Sequence, residues 1–519
     1  MSDDRIIEGI FADLLGMLNT TDFNFERFQG SWGRKYGDEF QSRYIDFTSE
    51  VEKLAKMCRV KYFKDASEFY MFDGRIYVPI REELIVRAFE MILMRVRVVS
   101  MALNKTFIKS HFTDVIRYYN ILIPRKDLVA FTNGVLDLKE FDSKHKYNVI
   151  FHEGFSPDYH VTYYHPYPYE ADSKCPKWQA FLHEVLPDKD SRVILQMFLG
   201  LGLIQRSTVY DECEGHDAAK VELCLILIGA GANGKSVIYQ TAVGIFGPNR
   251  ISGLDYDDLT GSAFDSMSAR AMMRDALFNW SSDSNPREFG RKRTGMFKRI
   301  VSGEPVLDRR IGENTRQNIH MPYLIFNLNE LEFPEDQSLG FVRRLQCISF
   351  NVVIPPHKQN KSLAFELKSE YPGIFNWILR GAKELRRKKF VFPATEGNRR
   401  QIILSQLVHN PVLAWVTAYR MRSEKGINGE QAVEFSTSDL MMYLEQFCVD
   451  NDVASVPSKQ KFGHTFSKMR FCKVRRNDGY YYKVYGVSPT EMKKHIIVQQ
   501  DDLTSPIASE AYFYIKDDD

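Results

Sequence analysis

Cysteine is scarce and scattered. The seven in 519 residues (Cys58, Cys175, Cys213, Cys224, Cys347, Cys448, Cys472) are too few for a disulfide framework, and no two stand at CxxC spacing, which excludes a zinc ribbon. No apolar run reaches the ~18 residues that a membrane-spanning helix needs. The opening MSDDRIIEGIFADLLGMLNTTDF lacks the basic n-region and unbroken apolar core of a signal peptide. Glycine and proline, 31 and 20, are unremarkable in number and show no period, which excludes collagen-like and mucin-like chains. An excess of one charge is missing as well: 69 Lys and Arg against 67 Asp and Glu leave a formal +2, with no global signature of a polyanion partner. Apolar residues, by contrast, make up 44% of the chain and exclude global disorder. A soluble, cytoplasmic chain of roughly three or four domains, with no membrane partner, is expected.

Changes of pattern divide it. Residues 1–125 read as a mostly helical region, with a strand pair around Phe69–Val78 that turns at Asp73-Gly74. An adaptor segment, 126–210, contains the strand–turn–strand FTNGVLDL and then helix from Pro176 to about Gln205. In 211–400, short apolar runs (LCLILI, ALFNW, YLIFNL, CISF) alternate with helical patterns, as a sheet buried on both faces requires. A helical linker and a last compact unit fill 401–500, and an acidic tail occupies 501–519.

The sharpest local signal is Gly229-Ala230-Gly231-Ala232-Asn233-Gly234-Lys235-Ser236, which fits G-x-x-x-x-G-K-[ST] directly between LCLILI and the helix-compatible SVIYQTAVGIF. Such glycines let backbone N–H groups cradle phosphate oxygens at a helix start. Lys235 then reaches the β- and γ-phosphates of ATP, and the Ser236 hydroxyl holds Mg²⁺. A carboxylate at the end of a neighbouring strand completes the metal site. Asp283, after the run Ala276–Trp280, is the choice, although it lacks the usual acidic companion. The general base stays open, with Glu330 and Glu288 as weaker candidates. Asn329, ending the run Tyr323–Leu328, can orient the attacking water or sense the γ-phosphate. Arg343 and Arg344 lie before CISF, and either can serve a neighbouring subunit's nucleotide as an arginine finger.

These motifs in this order resemble superfamily 3 helicases, the ring-forming AAA+ motors of small viruses, phages and plasmids. The likeness is to the phage/plasmid primase-helicase and poxvirus-type nucleoside triphosphatase branch. It rests on GAGANGKS, LFNWSSD, FKRIVSGEPVLDRR, IFNLNEL and GFVRRLQCISF, with LVAFTNGVLDL and CPKWQAFLHEVL upstream and PGIFNWILRGAKEL downstream. The resemblance implies an AAA+ P-loop ATPase core, a homo-hexamer and ATP-driven translocation on single-stranded DNA, 3′ to 5′, unwinding forked duplexes. Relatives often carry a primase domain, but residues 1–125 show no D-x-D on an apolar run, so primase activity is assigned to a separate protein. An ATP-switched initiator or loader, and a primase-helicase with an unrecognised primase site, remain alternatives.

Charge is neutral in total but not locally. Between Arg287 and Arg316 nine basic residues, including Lys298, Arg309 and Arg310, face four acids. The resemblance implies a channel hairpin here, its tip near Arg309-Arg310-Ile311-Gly312, whose cations would neutralise DNA phosphates. In the last unit, helices at Ser436–Phe447 and Ser458–Met469 precede a hairpin around Asn477-Asp478-Gly479, a winged-helix pattern. Lys459, Lys461, Lys468, Arg470, Lys473, Arg475, Arg476 and Lys483 are opposed within 459–483 only by Asp478, which suits DNA, although winged helices also bind proteins. His464 reads as a structural residue and Arg386–Lys389 as a helix C-terminal cap.

Overall fold

The computed structural model describes residues 3–18, 52–53, 55, 59–64, 67–95, 105–125, 127–141, 145–204, 221–261, 264–282, 284, 293–310, 315–318, 320–329, 339–393, 395–407, 410–425, 431–498 and 514–516. Asp283, Glu288, Glu330, Ile311, Gly312 and the basic residues Arg287, Arg291 and Lys292 lie outside them. The chain forms two compact units, Met1–Tyr169 and Glu170–Asp519.

The first unit combines helices and antiparallel strands. Helices Asp3–Leu18, Glu82–Arg95 and Lys105–Tyr119 share a core of Ile6, Ile10, Leu14, Ile85, Phe89, Ile92, Phe112 and Ile116. Phe89 and Phe112 stack there with ring centroids 4.1 Å apart. The expected turn at Asp73-Gly74 joins Glu68–Phe72 to Tyr77–Ile80, and Lys61–Phe63 adds a third antiparallel strand. FTNGVLDL folds as the hairpin Leu128–Phe131/Gly134–Asp137, extended by Ile150–Glu153.

The division at 169/170 runs through the expected adaptor segment and assigns its helical half to the second unit. That half is two helices, not one, α1 (Pro176–Val185) and α2 (Lys189–Gly200). They separate because Asp188 caps α2, accepting from the N–H groups of Asp190 and Ser191. Long-range contacts hold both to a later helix. Glu370 accepts the N–H groups of Lys177 and Trp178, each at 3.0 Å, and so caps the start of α1 from far along the chain. A Cβ at Gly200 would lie 2.4 Å from the backbone nitrogen of Ala382, so only glycine permits the approach.

The centre of the second unit is a five-stranded, wholly parallel sheet of β1 (Cys224–Ile228), β2 (Ile251–Ser252), β3 (Phe278–Ser281), β4 (Tyr323–Leu328) and β5 (Leu345–Ser349). Their spatial order is β5-β1-β4-β3-β2. Strands β1 and β4 are buried along their whole length, which explains their unbroken apolar runs. Helices α3 (Lys235–Phe246), α4 (Tyr256–Thr260), α5 (Phe264–Ala271) and α6 (Thr294–Val301) connect or flank the strands, and α7 (Tyr371–Arg387) follows β5. All five C-terminal strand ends face one edge. The chain passes from β1 out to β2 and returns to cross β1 for β5, so the loop after β1 sits where the winding reverses. In open parallel sheets ligands bind at that position.

Downstream, α8 (Pro411–Ala418), β6 (Val433–Ser436), α9 (Thr437–Asp450), α10 (Lys459–Lys468), β7 (Cys472–Arg476) and β8 (Gly479–Val484) share a separate core around Trp415, Leu444, Phe462, Phe466 and Tyr482. The sheet is antiparallel in the order β6-β8-β7, and β6 lies between the helical linker and the helix expected from Ser436. Among the described residues no helix is long and apolar enough to cross a membrane.

Candidate nucleotide site and basic surfaces

At the C-terminal end of β1 the chain turns through Gly229–Gly234 into α3. Gly231 and Gly234 have φ of 108° and 86°, and Ala232 adopts 49°. A Cβ on Gly234 would stand 2.9 Å from both Phe181 and Val185 of α1, so the "adaptor" helix packs directly on this loop. Gly229 is equally confined: a Cβ there would stand 2.2 Å from Asn233 Nδ2. No side chain caps α3, and the first N–H groups of a helix are a donor set suited to a polyanion. Lys235 is 7% exposed, and its ammonium donates to the Gly229 carbonyl and to Asn233 Oδ1 at 3.2 Å. Asn233 Nδ2 in turn donates to the Phe350 carbonyl at 3.5 Å, tying the loop to the end of β5. Ala230, Gly231, Ala232 and Ser236 are exposed.

The neighbouring strand ends converge on the same edge. Gly229 N–H donates to Leu328 O at 3.0 Å, which sets exposed Asn329 beside the loop. The turn after β3 is held by groups that the apolar patterns concealed. Asn327 accepts from Trp280 Nε1 at 3.0 Å and donates to Ser282 O at 3.2 Å, while Ser284 N–H donates to Asn327 O at 3.2 Å. Ser282 and Ser284 flank Asp283, so the turn's two sides are fixed even though Asp283 is outside the described residues.

Arg343 and Arg344 occupy the opposite edge. Cys224 N–H donates to Arg344 O at 2.7 Å, placing both arginines at the N-terminal ends of β1 and β5. A strand's length, roughly 15 Å at about 3.3 Å per residue, separates them from the loop of their own chain. The two arginines also differ from one another. Arg344 is 11% exposed and is held by Glu222 at 3.1 Å, Ser302 Oγ at 2.9 Å and Gly340 O at 2.5 Å. Arg343 is 67% exposed and meets Glu222 only at 3.7 Å.

The basic stretch builds an antiparallel ribbon, Val306–Asp308 with Arg316–Asn318, in which Asp308 pairs with Arg316. Residues 309–315 therefore form its connection, and Arg309 and Arg310 begin it. Arg309 lies over the half-exposed Phe264 ring, 4.9 Å from its centroid. Lys298 lies half-buried on α6. Of the acids counted against this stretch, Asp308 is buried against Arg274 and Glu304 pairs with Arg299.

In the last unit Lys459, Lys461 and Arg475 are exposed and make no ion pair among the described residues. Arg476 is different: Glu434 of β6 accepts from its guanidinium and also faces Lys483 at 3.9 Å. That acid lies outside 459–483 in sequence and reaches the hairpin only because β6 pairs with β8. Lys473 Nζ stands 4.0 Å from the Tyr480 ring centroid. His464 is exposed on α10 beside Lys461.

Residues 53–187 match the family described as D5 N terminal like. No curated protein matches the chain. Among solved structures, the A form of the apo NrS-1 C-terminal region aligns with a TM-score of 0.44 and 11% identity, over 82% of this chain and 96% of that one. A second apo structure of the NrS-1 C-terminal region gives 0.39 and 10%, over 83% and 96%.

Proposed function

We propose that the chain is an ATP-dependent replicative DNA helicase of the superfamily 3 type, working as a homo-hexameric ring that translocates on single-stranded DNA and parts forked duplexes. One observation carries this reading: a glycine-confined loop with a buried lysine, at the winding-reversal point of a parallel sheet, opening into a helix with no side-chain cap. A triphosphate would suit that loop, because positive φ at Gly231 and Gly234 is the backbone geometry that turns N–H groups toward phosphate oxygens. Backbone groups of Gly229, Ala230, Gly231, Ala232, Asn233 and Gly234 would surround the phosphates, and Lys235 would exchange its loop partners for phosphate oxygens. Ser236 and Asp283 would hold Mg²⁺, which supplies positive charge against the charge that develops on the transferred group. Asn329 would orient the attacking water.

Arg343 is assigned the trans role, since it is exposed and too far from its own loop, and Arg344 the role of holding that corner in shape. Arg309, Arg310, Arg316 and Lys298 are assigned to the single strand. The last unit, read as a winged helix, would engage duplex phosphates through Lys459, Lys461, Arg475 and Arg476. The D5 N terminal like match ahead of the sheet supports the primase-helicase branch in particular.

The test is ATP hydrolysis with and without single-stranded DNA. Stimulation is expected in the wild type and no hydrolysis in Lys235→Ala. Mixing Lys235→Ala with Arg343→Ala subunits should restore activity, because some interfaces then join an intact loop to an intact arginine. Hydrolysis surviving in Lys235→Ala would overturn the assignment.

A further inference from the structure

A chain of polar contacts links the C-terminal end of β3 to the basic ribbon. At the β3 end, Ser284 Oγ donates to Ser281 Oγ at 2.5 Å, and Ser281 Oγ donates to the carboxylate of Asp255. Asp255 is the residue that precedes α4, and its own N–H donates to Asp258 at 3.4 Å. Buried Asn279 secures the approach to α4 by a two-way amide pair with Leu254, accepting from its N–H at 2.9 Å and donating to its carbonyl at 2.8 Å. The start of α4 is therefore fastened to β3, whose last residue, Ser281, stands two positions before Asp283 in the chain.

The far end of α4 is fastened to the ribbon. Arg270 of α5 donates to Leu259 O at 3.1 Å and Gly261 O at 2.8 Å, closing the C-terminus of α4, and its Nε donates to Leu307 O at 3.0 Å. Arg274, just beyond α5, grips Asp308 with two parallel bonds of 3.0 and 2.7 Å, and both side chains are almost wholly buried, at 6% and 0% exposure. Arg309 N–H donates to Met267 O at 3.2 Å. Bidentate Arg–carboxylate pairs fix orientation as well as distance, so the ribbon strand cannot shift without taking α5 with it.

We propose that α4 and α5 form a rigid coupling unit that carries the state of the nucleotide end of the sheet to the DNA-facing ribbon. Its two attachments are Ser281–Asp255 and Arg274–Asp308, which act as positioning residues. The proposal rests on the nucleotide and DNA roles given above. Coupling between two sites is reciprocal: bound nucleotide must change DNA affinity by the same factor as DNA changes nucleotide affinity.

The experiment measures binding of a single-stranded oligothymidine to the full chain, with and without a non-hydrolysable ATP analogue, and the reverse titration. In the wild type the analogue should change DNA affinity by about five- to a hundredfold, within the usual range of coupling. Ser281→Ala removes the donor to Asp255, which is exposed and remains solvated, so the fold should survive. Each single affinity should stay within about twofold while the coupling factor falls toward one, and Ser281→Thr should restore it. For the second attachment, Arg274→Met with Asp308→Leu exchanges the buried pair for apolar side chains of similar bulk, which folds tolerate better than loss of one partner. The same loss of coupling is expected there. Full coupling in both variants, or a wild type that binds both ligands without mutual influence, would overturn the coupling role while leaving the helicase reading in place. Failure of the wild type to bind nucleotide or DNA would instead remove the reading on which the coupling stands.

Discussion

Replacing Arg344 and Arg343 separately by alanine should give two different phenotypes. Arg344 is nearly buried and donates to Glu222, Ser302 and the Gly340 carbonyl. Removing one partner of a buried ion pair costs about 3–5 kcal/mol. Glu222 is 28% exposed, so water recovers part of its solvation, and a loss of about 2–3 kcal/mol is expected. For a domain of this size that lowers the melting temperature by roughly 4–12 °C, at about 2–4 °C per kcal/mol. Arg343 is 67% exposed and 3.7 Å from Glu222, so its loss should stay within about 0.5 kcal/mol. Thermal unfolding of the two variants, followed by calorimetry at low and moderate salt, separates the cases. In hydrolysis the ranking should change character: Arg343→Ala stays folded and loses turnover, and Arg344→Ala loses both together. A melting point for Arg343→Ala as low as that of Arg344→Ala would refute the division of roles, as would an unchanged one for Arg344→Ala.

Other outcomes follow from single contacts. Gly234→Ala places a Cβ against Phe181 and Val185 in a left-handed conformation and should abolish binding of a fluorescent ATP analogue, although the chain stays soluble. In the last unit, Arg475→Ala should weaken duplex binding and lower the salt dependence by about one unit of log–log slope. Arg476→Ala should do so less, because Glu434 already neutralises that guanidinium; equal slopes would contradict the pairing. Burial pushes the Cys347 thiol up to about 12 and those of Cys175 and Cys448 up to about 11. A raised thiol value keeps the neutral, unreactive form, so at pH 9 these three should resist alkylation while exposed Cys472 is modified, as peptide mass mapping would reveal.

Much of the sheet unit was legible because its strands are buried on both faces and advertise themselves as apolar runs. Its hidden parts are physical exceptions to that signal. Strand β2 is two residues long and carries no pattern. Asn279 and Asn327 sit inside strands that read as apolar, because their amides find buried partners across the sheet. The helices at 176–200 read as part of an adaptor, but their packing depends on Glu370 and Gly200 meeting residues nearly two hundred positions away. Gly200 facing Gly381 was the available clue, small residues on two helices that touch. In the candidate site, the loop and its lysine were legible as a local motif. The difference between Arg343 and Arg344 was not, since it depends on where Glu222 and Ser302 stand in space. Likewise, counting acids only within 459–483 overlooked Glu434, which strand pairing brings to Arg476.

If the loop at Lys235 converts ATP into strand separation, a labelled strand should be displaced from a forked duplex. The wild type should release the strand only with ATP and Mg²⁺, and Lys235→Ala should match its affinity for the fork in the absence of nucleotide and release nothing. Release by Lys235→Ala, or ATP turnover on the fork by the wild type without any release, would contradict it.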